Sequence, residues 1–334
     1  MEALKGKKVL FLAPTFFGYE IEIKKELENF GAEVKYFDER PKNDFVTKAL
    51  IRLQLKKAIQ NNINIYYRNI IENTKHDCFD YLFLVNPETI DVKIIEAIKK
   101  CHPNVIVYTY MWDSIKNKKK SLDLLSASNK FFTFDSNDGV IDESIRFLPL
   151  FYIKDYEDAV GSDDCSYDIS FIGSVHSDRY STVKSMDNGR FKLFSYFYSQ
   201  SRFLFMLQRL LYKEFRRIQR SDVSFVSLSK NEVINIIRDS KAIVDIEHPL
   251  QNGLTMRTIE MLGAKKKLIT TNSNVKEYDF YDSRNIFVID RNNPVVAEGF
   301  LDAKYIEIDK SIYEKYSLRS WIVNIFRVEG DVVD

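Results

Sequence analysis

The sequence predicts an α/β protein of two halves, each a parallel sheet flanked by helices. Three observations carry this. Short β-rich apolar runs alternate with helical patterns from residue 8 to residue 148. The pattern stops at 154–164, where acidic and small residues cluster without periodicity, and a fresh β-rich run opens at Tyr167. The 334 residues suffice for two domains of ordinary size, and 45% hydrophobic content lets each bury a core.

In the first half, the run 8–13 reads as a strand and leads into a Pro-Thr-Phe-Phe-Gly loop. Residues 19–30 have helical spacing, with Ile21, Ile23, Leu27 and Phe30 apolar among Glu and Lys, and Gly31 suits the C-terminal cap. A second strand at 33–37 completes a β-α-β opening, whose natural product is a parallel sheet. Further strands are predicted at 81–85, 105–110, 131–134 and 145–148, with helices at 46–60, 91–101 and 118–127.

In the second half, strands are predicted at 167–173, 223–227, 242–246, 267–271 and 286–289. Helices are predicted at 177–187, 194–218, 230–238 and 255–262. A last helix over 312–326 carries Ile312, Tyr316, Trp321, Ile322 and Ile325, which suit either its own domain or a return to the first. The expected domains are 1–155, 165–310 and a C-terminal helical segment 311–334. Two such Rossmann-like halves enclose a cleft, where ligands tend to bind.

Composition excludes several classes. With 49 Lys and Arg against 48 Asp and Glu, the formal net charge is +1, so no nucleic-acid partner is expected. The three cysteines are scattered and the four histidines form no pair at helical spacing, so no metal site is expected. The cysteines read as reduced residues of a cytoplasmic protein. The apolar run at 9–13 ends at Pro14 without a cleavage site. No run approaches the roughly 20 apolar residues that span a bilayer. The expected location is the cytoplasm, with attachment at most to a membrane surface.

The chemistry concentrates at 242–271. An apolar strand ends at Ile246, a loop with His248, Asn252, Gly253 and Leu254 follows, and a helix starts near Thr255. A helix start offers unpaired N–H groups and a positive dipole end, which suit a diphosphate. Gly253 permits close backbone approach, Thr255 can cap the helix or bond a phosphate, and Arg257 adds a bidentate cation. Glu260 lies on the same face as Arg257 and can accept both ribose hydroxyls. An ordinary β-α-β unit with an Arg257–Glu260 surface ion pair reads the same residues equally well. A second stretch, 167–180, is strand, glycine turn and helix start. There Gly173 and Ser174 can approach phosphates, Arg179 can neutralise them, and His176 either bonds a ligand or is a plain exposed loop histidine.

The stretch Asn252-Gly253-Leu254-Thr255-Met256-Arg257-Thr258-Ile259-Glu260-Met261-Leu262-Gly263-Ala264 resembles the donor-site motif of GT-B glycosyltransferases, "(E/D)-G-x-x-x-R-x-x-E-x-x-A-x-G". Asn252 stands where many retaining members carry an acid, and Gly263-Ala264 replaces the Ala-x-Gly order. Residues 167–180 resemble the opening of the donor domain in bacterial capsule, exopolysaccharide and lipopolysaccharide glycosyltransferases, including spore-maturation-type relatives. The resemblance implies the GT-B fold, with an N-terminal acceptor domain and a C-terminal donor domain. It implies a metal-independent, hexosyltransferase-type enzyme with no cofactor beyond its nucleotide-diphosphate sugar. Donor-binding positions are then Gly173, Ser174, His176, Arg179, His248, Asn252, Gly253, Leu254, Thr255, Arg257, Thr258 and Glu260. The acceptor is a saccharide or a lipid-linked saccharide of bacterial surface-polysaccharide synthesis.

An inverting reaction needs a base, for which Asp113 and Glu20 are the candidates at predicted strand-end loops. A helix N-cap for Asp113 and a solvated helix-start carboxylate for Glu20 are the plainer readings. A retaining reaction needs neither. Residues 202–220 hold six basic residues and one acid among large apolar ones, a pattern that fits contact with an anionic membrane surface or a core helix with outward-reaching cations. Two rival functions stay open: a sugar-nucleotide epimerase of the same fold, and a non-catalytic nucleotide-sugar-binding scaffold.

Overall fold

The computed structural model describes residues 4–52, 55–116, 118–159, 164–176, 178–187, 189–249, 252–297 and 299–327. In chain order the elements are β1 (Lys8–Ala13), α1 (Tyr19–Asn29), β2 (Glu33–Asp38), α2 (Phe45–Arg52), α3 (Gln60–Thr74), β3 (Tyr81–Val85), α4 (Val92–Cys101), β4 (Ile106–Met111), β5 (Lys130–Thr133) and β6 (Ile145–Phe147). There follow α5 (Lys154–Glu157), β7 (Tyr167–Ser174), α6 (Arg179–Met186), β8 (Leu193–Tyr198), α7 (Arg202–Leu211), α8 (Lys213–Arg216), β9 (Val223–Ser224) and α9 (Lys230–Arg238). The chain closes with β10 (Ser240–Asp245), α10 (Met256–Gly263), β11 (Lys267–Thr270), β12 (Ile286–Val288), α11 (Lys310–Lys315) and α12 (Leu318–Phe326). Two compact units result: Met1–Pro149 with Leu318–Asp334, and Leu150–Ser317.

Unit 1 is a six-stranded sheet in the order β2-β1-β3-β4-β5-β6, with every pair parallel. Buried on both faces, such strands need near-continuous apolar runs, as in Val9 to Ala13. Successive side chains point to opposite faces. Leu10, Leu12, Leu82, Leu84 and Val107 join one core with Ile63, Tyr67 and Ile70 of α3 and Ile94, Ile95 and Ile98 of α4. The other face is aromatic: Phe11 stacks on Phe83 at 5.4 Å. Helix α12 covers it, with Trp321 against Tyr110 at 4.7 Å and Phe326 against Tyr81, Phe83 and Tyr108 at 5.1 to 5.5 Å. Full burial of each such side chain contributes roughly 2 kcal/mol.

Unit 2 is also six-stranded and parallel, in the order β12-β11-β10-β7-β8-β9. One core gathers Ile169, Phe171, Val183, Phe197, Phe205, Val244 and Ile269. The chain leaves β7 toward β8 on one side and continues from β10 toward β11 on the other. The switch point therefore falls between β7 and β10.

Three sequence expectations are corrected. The helix expected over 194–218 begins instead as β8, because Leu-Phe-Ser-Tyr-Phe-Tyr favours a strand and pairs in register with β7. Ser201 then caps α7 by accepting from the Leu204 N–H at 3.0 Å. The helix expected over 46–60 stops at Arg52, a 3-10 turn spans Lys56–Ile59, and α3 follows. The helix expected over 312–326 is two helices, α11 and α12. The Tyr316 carbonyl at the break accepts from the Tyr152 N–H at 2.9 Å, and Ser317 bridges to Tyr152. Of the segment 154–164, residues 154–157 form α5, while 160–163 lie outside the described residues, as do Ser177 and 328–334.

Candidate functional site

The switch point of unit 2 brings two loops together that are far apart in sequence. Ligands of open α/β sheets bind outside the carboxyl ends of the strands at such a point. Gly173, Ser174 and His176 lie at or just past the end of β7, and Glu247 and His248 lie just past β10. The two imidazole rings stand 5.7 Å apart. Arg179, in the first turn of α6, ties the loops. Its Nε donates to the Ile246 carbonyl at 2.6 Å and its Nη1 to the Ser174 carbonyl at 3.4 Å. A Cβ on Gly173 would lie 2.9 Å from the Phe171 ring and 3.5 Å from the Arg179 guanidinium, so glycine keeps that space open.

Burial works against the Arg179 charge, while Asp245 and Glu247 oppose the loss. A guanidinium stays charged under such conditions. Burial, with Arg179 and His248 adding to it, pushes the His176 imidazole down to about 3. His176 is thus neutral at pH 7 and acts as a hydrogen-bonding group rather than a cation.

Helix α10 starts at this edge. Thr255 is its N-cap, accepting from the Thr258 N–H at 3.3 Å. The Thr255 and Thr258 hydroxyls both donate to Asp245 Oδ2, the latter at 2.8 Å. Both threonines therefore hold the helix start to the end of β10. Arg257 Nη1 donates to Glu260 Oε2 at 2.6 Å, and both side chains are largely shielded from water. The ion pair of the plainer reading exists, but it is sunk into the unit rather than on its surface. Tyr156 of α5 completes the group. Burial first, then Glu260, holds its phenol far above the ordinary range, against the pull of Arg257. Leu254 and Gly253 are buried, and the Asn252 and Gly253 carbonyls accept from Asn272 Nδ2, both at 3.3 Å. Asn274 Nδ2 also donates to the Asn252 carbonyl, at 3.0 Å.

Sequence reasoning missed Asp245, Asn272 and Arg291. Arg291, past β12, donates to Asp178 Oδ1 at 2.8 Å, to the Glu247 carbonyl at 3.2 Å, to Glu247 Oε1 and to Thr271 Oγ1 at 3.2 Å. One guanidinium thus fastens the loops that follow β7, β10 and β11. Asp245 had a readable signal, a lone carboxylate at the end of an apolar strand. Arg291 and Asn272 had none beyond their residue type.

The carboxyl edge of unit 1 holds the two candidate bases. Glu20 is buried, and its Oε2 accepts from the Phe16 N–H at 3.0 Å. It braces a tight loop in which Phe17 and Gly18 both have left-handed backbones, φ 50° and 82°. It is not the solvated carboxylate of the plainer reading. Asp113 caps no helix either. It is about half exposed, its Oδ2 accepts from Asn86 Nδ2 at 3.1 Å, and Lys118 Nζ lies 3.5 Å away. Burial pulls the Lys118 ammonium down, but Asp113 and Glu88 outweigh it and hold its pKa above the usual value. Of the two, Asp113 offers an oxygen to solvent.

Beside Asp113 lies a buried ionic group that the sequence did not suggest. Glu88 accepts from Arg40 at 2.6 Å and from Lys118. Glu39, fully buried, accepts from the backbone N–H groups of Glu88 at 2.7 Å, of Thr89, and of Ile90 at 2.9 Å. Burial pushes its carboxyl up to about 7 against those hydrogen bonds.

No family model matches the chain, and no curated protein matches it. Solved structures do. A UDP-forming α,α-trehalose-phosphate synthase of Burkholderia xenovorans, in complex with glucose-6-phosphate, is similar at TM-score 0.56 and 8% identity, over 96% of this chain and 99% of that one. HepE of Anabaena, in complex with UDP and glucose, is similar at TM-score 0.54 and 9% identity, over 95% and 98%. A UDP-N-acetylglucosamine 2-epimerase is similar at TM-score 0.51 and 12% identity, over 96% and 94%. At such identities the likeness is one of fold, and it spans at least 94% of each chain compared. The chain is an α/β protein of two Rossmann-like units with the GT-B fold.

Proposed function

We propose that the protein is a glycosyltransferase that moves a sugar from a nucleotide-diphosphate donor to a saccharide or lipid-linked saccharide acceptor. The observation that carries this reading is the shielded Arg257–Glu260 pair in the first turns of α10, set beside Arg179 at the switch point of unit 2. A ribose can draw on the Glu260 carboxylate, and a diphosphate on the Arg257 and Arg179 guanidiniums. The complexes of UDP and glucose with HepE, a protein of the same fold, support it.

In the reaction an acceptor hydroxyl oxygen attacks the anomeric carbon. The bond from that carbon to the diphosphate oxygen breaks, and the diphosphate leaves with the electron pair. Fixed positive charge at that leaving group is the main electrostatic contribution. In an inverting course the acceptor proton passes to a carboxylate, and Asp113 is better suited than Glu20 because it offers an oxygen to solvent. The reading includes no metal and no further cofactor. It places the enzyme in the cytoplasm, in bacterial surface-polysaccharide synthesis, working on acceptors at the inner face of the plasma membrane.

A sugar-nucleotide epimerase is the second reading, favoured by the 2-epimerase of the same fold. It would convert the donor without an acceptor.

The test is a panel of nucleotides and nucleotide sugars measured by thermal shift, on the native chain and on Arg257→Ala and Glu260→Ala. Each variant is compared with its own ligand-free Tm, because either change breaks a buried pair. One nucleotide family should stabilise the native chain, by about 2.7 kcal/mol at a hundred times Kd, and neither variant. A folded native chain that no nucleotide stabilises would sink the donor site. Nucleotide release that needs an acceptor separates transfer from epimerisation.

A further inference from the structure

Helix α7 carries an apolar face that the described residues leave exposed. Phe203 is 74% exposed, Leu210 71% and Leu211 62%, with Met206 and Leu207 also exposed. Their spacing is i, i+3, i+4, i+7, i+8, which is a single stripe along one helix. The opposite side is anchored: Phe205 is fully buried against Phe215 of α8 and Phe225. The exposed stripe is thus not a helix waiting to find its core. A soluble surface rarely gathers large apolar side chains in this way.

Cations flank the stripe along the chain. Arg202, Lys213, Arg216, Arg217 and Arg220 are exposed, against Glu214 as the one acid from 202 to 220. The α7–α8 turn is fixed from within, since Arg216 donates to the carbonyls of Arg209 at 3.3 Å and Leu210 at 3.1 Å, and Arg209 donates to the Ile218 carbonyl at 3.0 Å. The ten residues of α7 reach about 15 Å. That is half the hydrocarbon thickness of a bilayer, about 30 Å, so the helix can lie in the interface but not cross it. Among the described residues no helix is long and apolar enough to cross a membrane.

We propose that α7 is a docking helix for an anionic phospholipid surface. Phe203, Met206, Leu207, Leu210 and Leu211 enter the acyl boundary, and the flanking arginines and Lys213 meet the phosphate headgroups. Charge complementarity selects this occupant over a second copy of the chain. Two copies meeting at this face would bring like-charged flanks together, whereas an anionic bilayer offers both an apolar interior and negative charge. The proposal gives the lipid-linked acceptor reading a physical attachment, but its test needs neither donor nor acceptor.

The full chain is floated with vesicles of phosphatidylglycerol and phosphatidylcholine in equal parts, and with phosphatidylcholine alone. Native protein should bind the anionic vesicles at least ten-fold more than the neutral ones, and less as salt is raised. Phe203→Asp with Leu210→Asp should cut that binding at least ten-fold with an unchanged Tm, because both side chains already face water. Lys213→Glu with Arg220→Glu should lower binding to anionic vesicles while leaving the weak neutral binding alone. Native protein that stays unbound at low salt overturns the proposal, as does equal binding by the Phe203 and Leu210 double variant. So does a concentration-dependent dimer in sedimentation that this variant turns into a monomer. If the apolar variant does not fold, the lipid and salt dependence of the native chain still decides. Vesicle binding with no nucleotide response would spare this proposal and refute the transferase, and the converse result would do the reverse.

Discussion

Replacing Gly263 by alanine adds one carbon where the structure has no room for it. The new Cβ would lie 2.5 Å from Tyr152 Cγ, 2.6 Å from its Cβ and 2.9 Å from its Cδ2. Carbon atoms in contact prefer about 3.5 to 4.0 Å, so helix or tyrosine must move by about 1 Å. Rotation of the ring cannot relieve it, because the clash includes the Tyr152 Cβ, which the backbone fixes. The ring is also held: the Tyr152 hydroxyl donates to the Tyr313 carbonyl at 3.1 Å, and the Tyr313 hydroxyl donates to the Gly263 carbonyl at 2.7 Å. Overpacking of this kind costs about 1–3 kcal/mol. Alanine returns about 1 kcal/mol of helix propensity. The immovable Cβ puts the overpacking at its upper end, so the net loss is about 2 kcal/mol. Urea denaturation of Gly263→Ala against the native chain reads this directly. Nucleotide-induced stabilisation should fall as well, since a shift of α10 carries Arg257 and Glu260 with it. Equal or greater stability of the variant would refute the packing argument, because propensity alone would then govern the site.

Two further outcomes are expected. Arg291→Lys keeps the charge but cannot reach Asp178, Glu247 and Thr271 at once, and charged hydrogen bonds contribute about 1.5–3 kcal/mol each. The variant should lose nucleotide affinity while remaining folded, and unchanged binding by calorimetry would show that the clamp is not needed. Glu39 holds its proton more tightly when folded, with a pKa raised from 4.5 to about 7 by burial. Its contribution to stability is full below about pH 4.5 and is lost as pH rises through 7, on the order of 3 kcal/mol. Glu39→Gln should flatten that fall, and parallel urea midpoints for both proteins at pH 5 and pH 8 would contradict it.

Much of the fold was legible because buried parallel strands are written as uninterrupted apolar runs, as in 81–85 and 242–246. Helix α10 was legible for a different reason: Thr255, Arg257 and Glu260 sit within one turn and a half, so their relation survives in the linear sequence. Strand β8 was not legible. Its aromatic run passes into the apolar stripe of α7 with only Ser199, Gln200 and Ser201 between them, and periodicity blurs across so short a gap. Strand order was also invisible. Nothing in the sequence places β7 beside β10, so the meeting of His176 with His248, and the clamp by Arg291, emerge only from the sheet.

Helix α12 has a consequence for the order of synthesis. Unit 1 is built from residues 4–149 and 318–327, with all of unit 2 encoded between them. A ribosome therefore delivers the complete sheet of unit 1 long before the helix that covers its aromatic face. During that interval Tyr81, Phe83, Tyr108 and Tyr110 lack Trp321 and Phe326. The aromatic face of the nascent first unit is thus uncovered by α12 until the second unit has emerged.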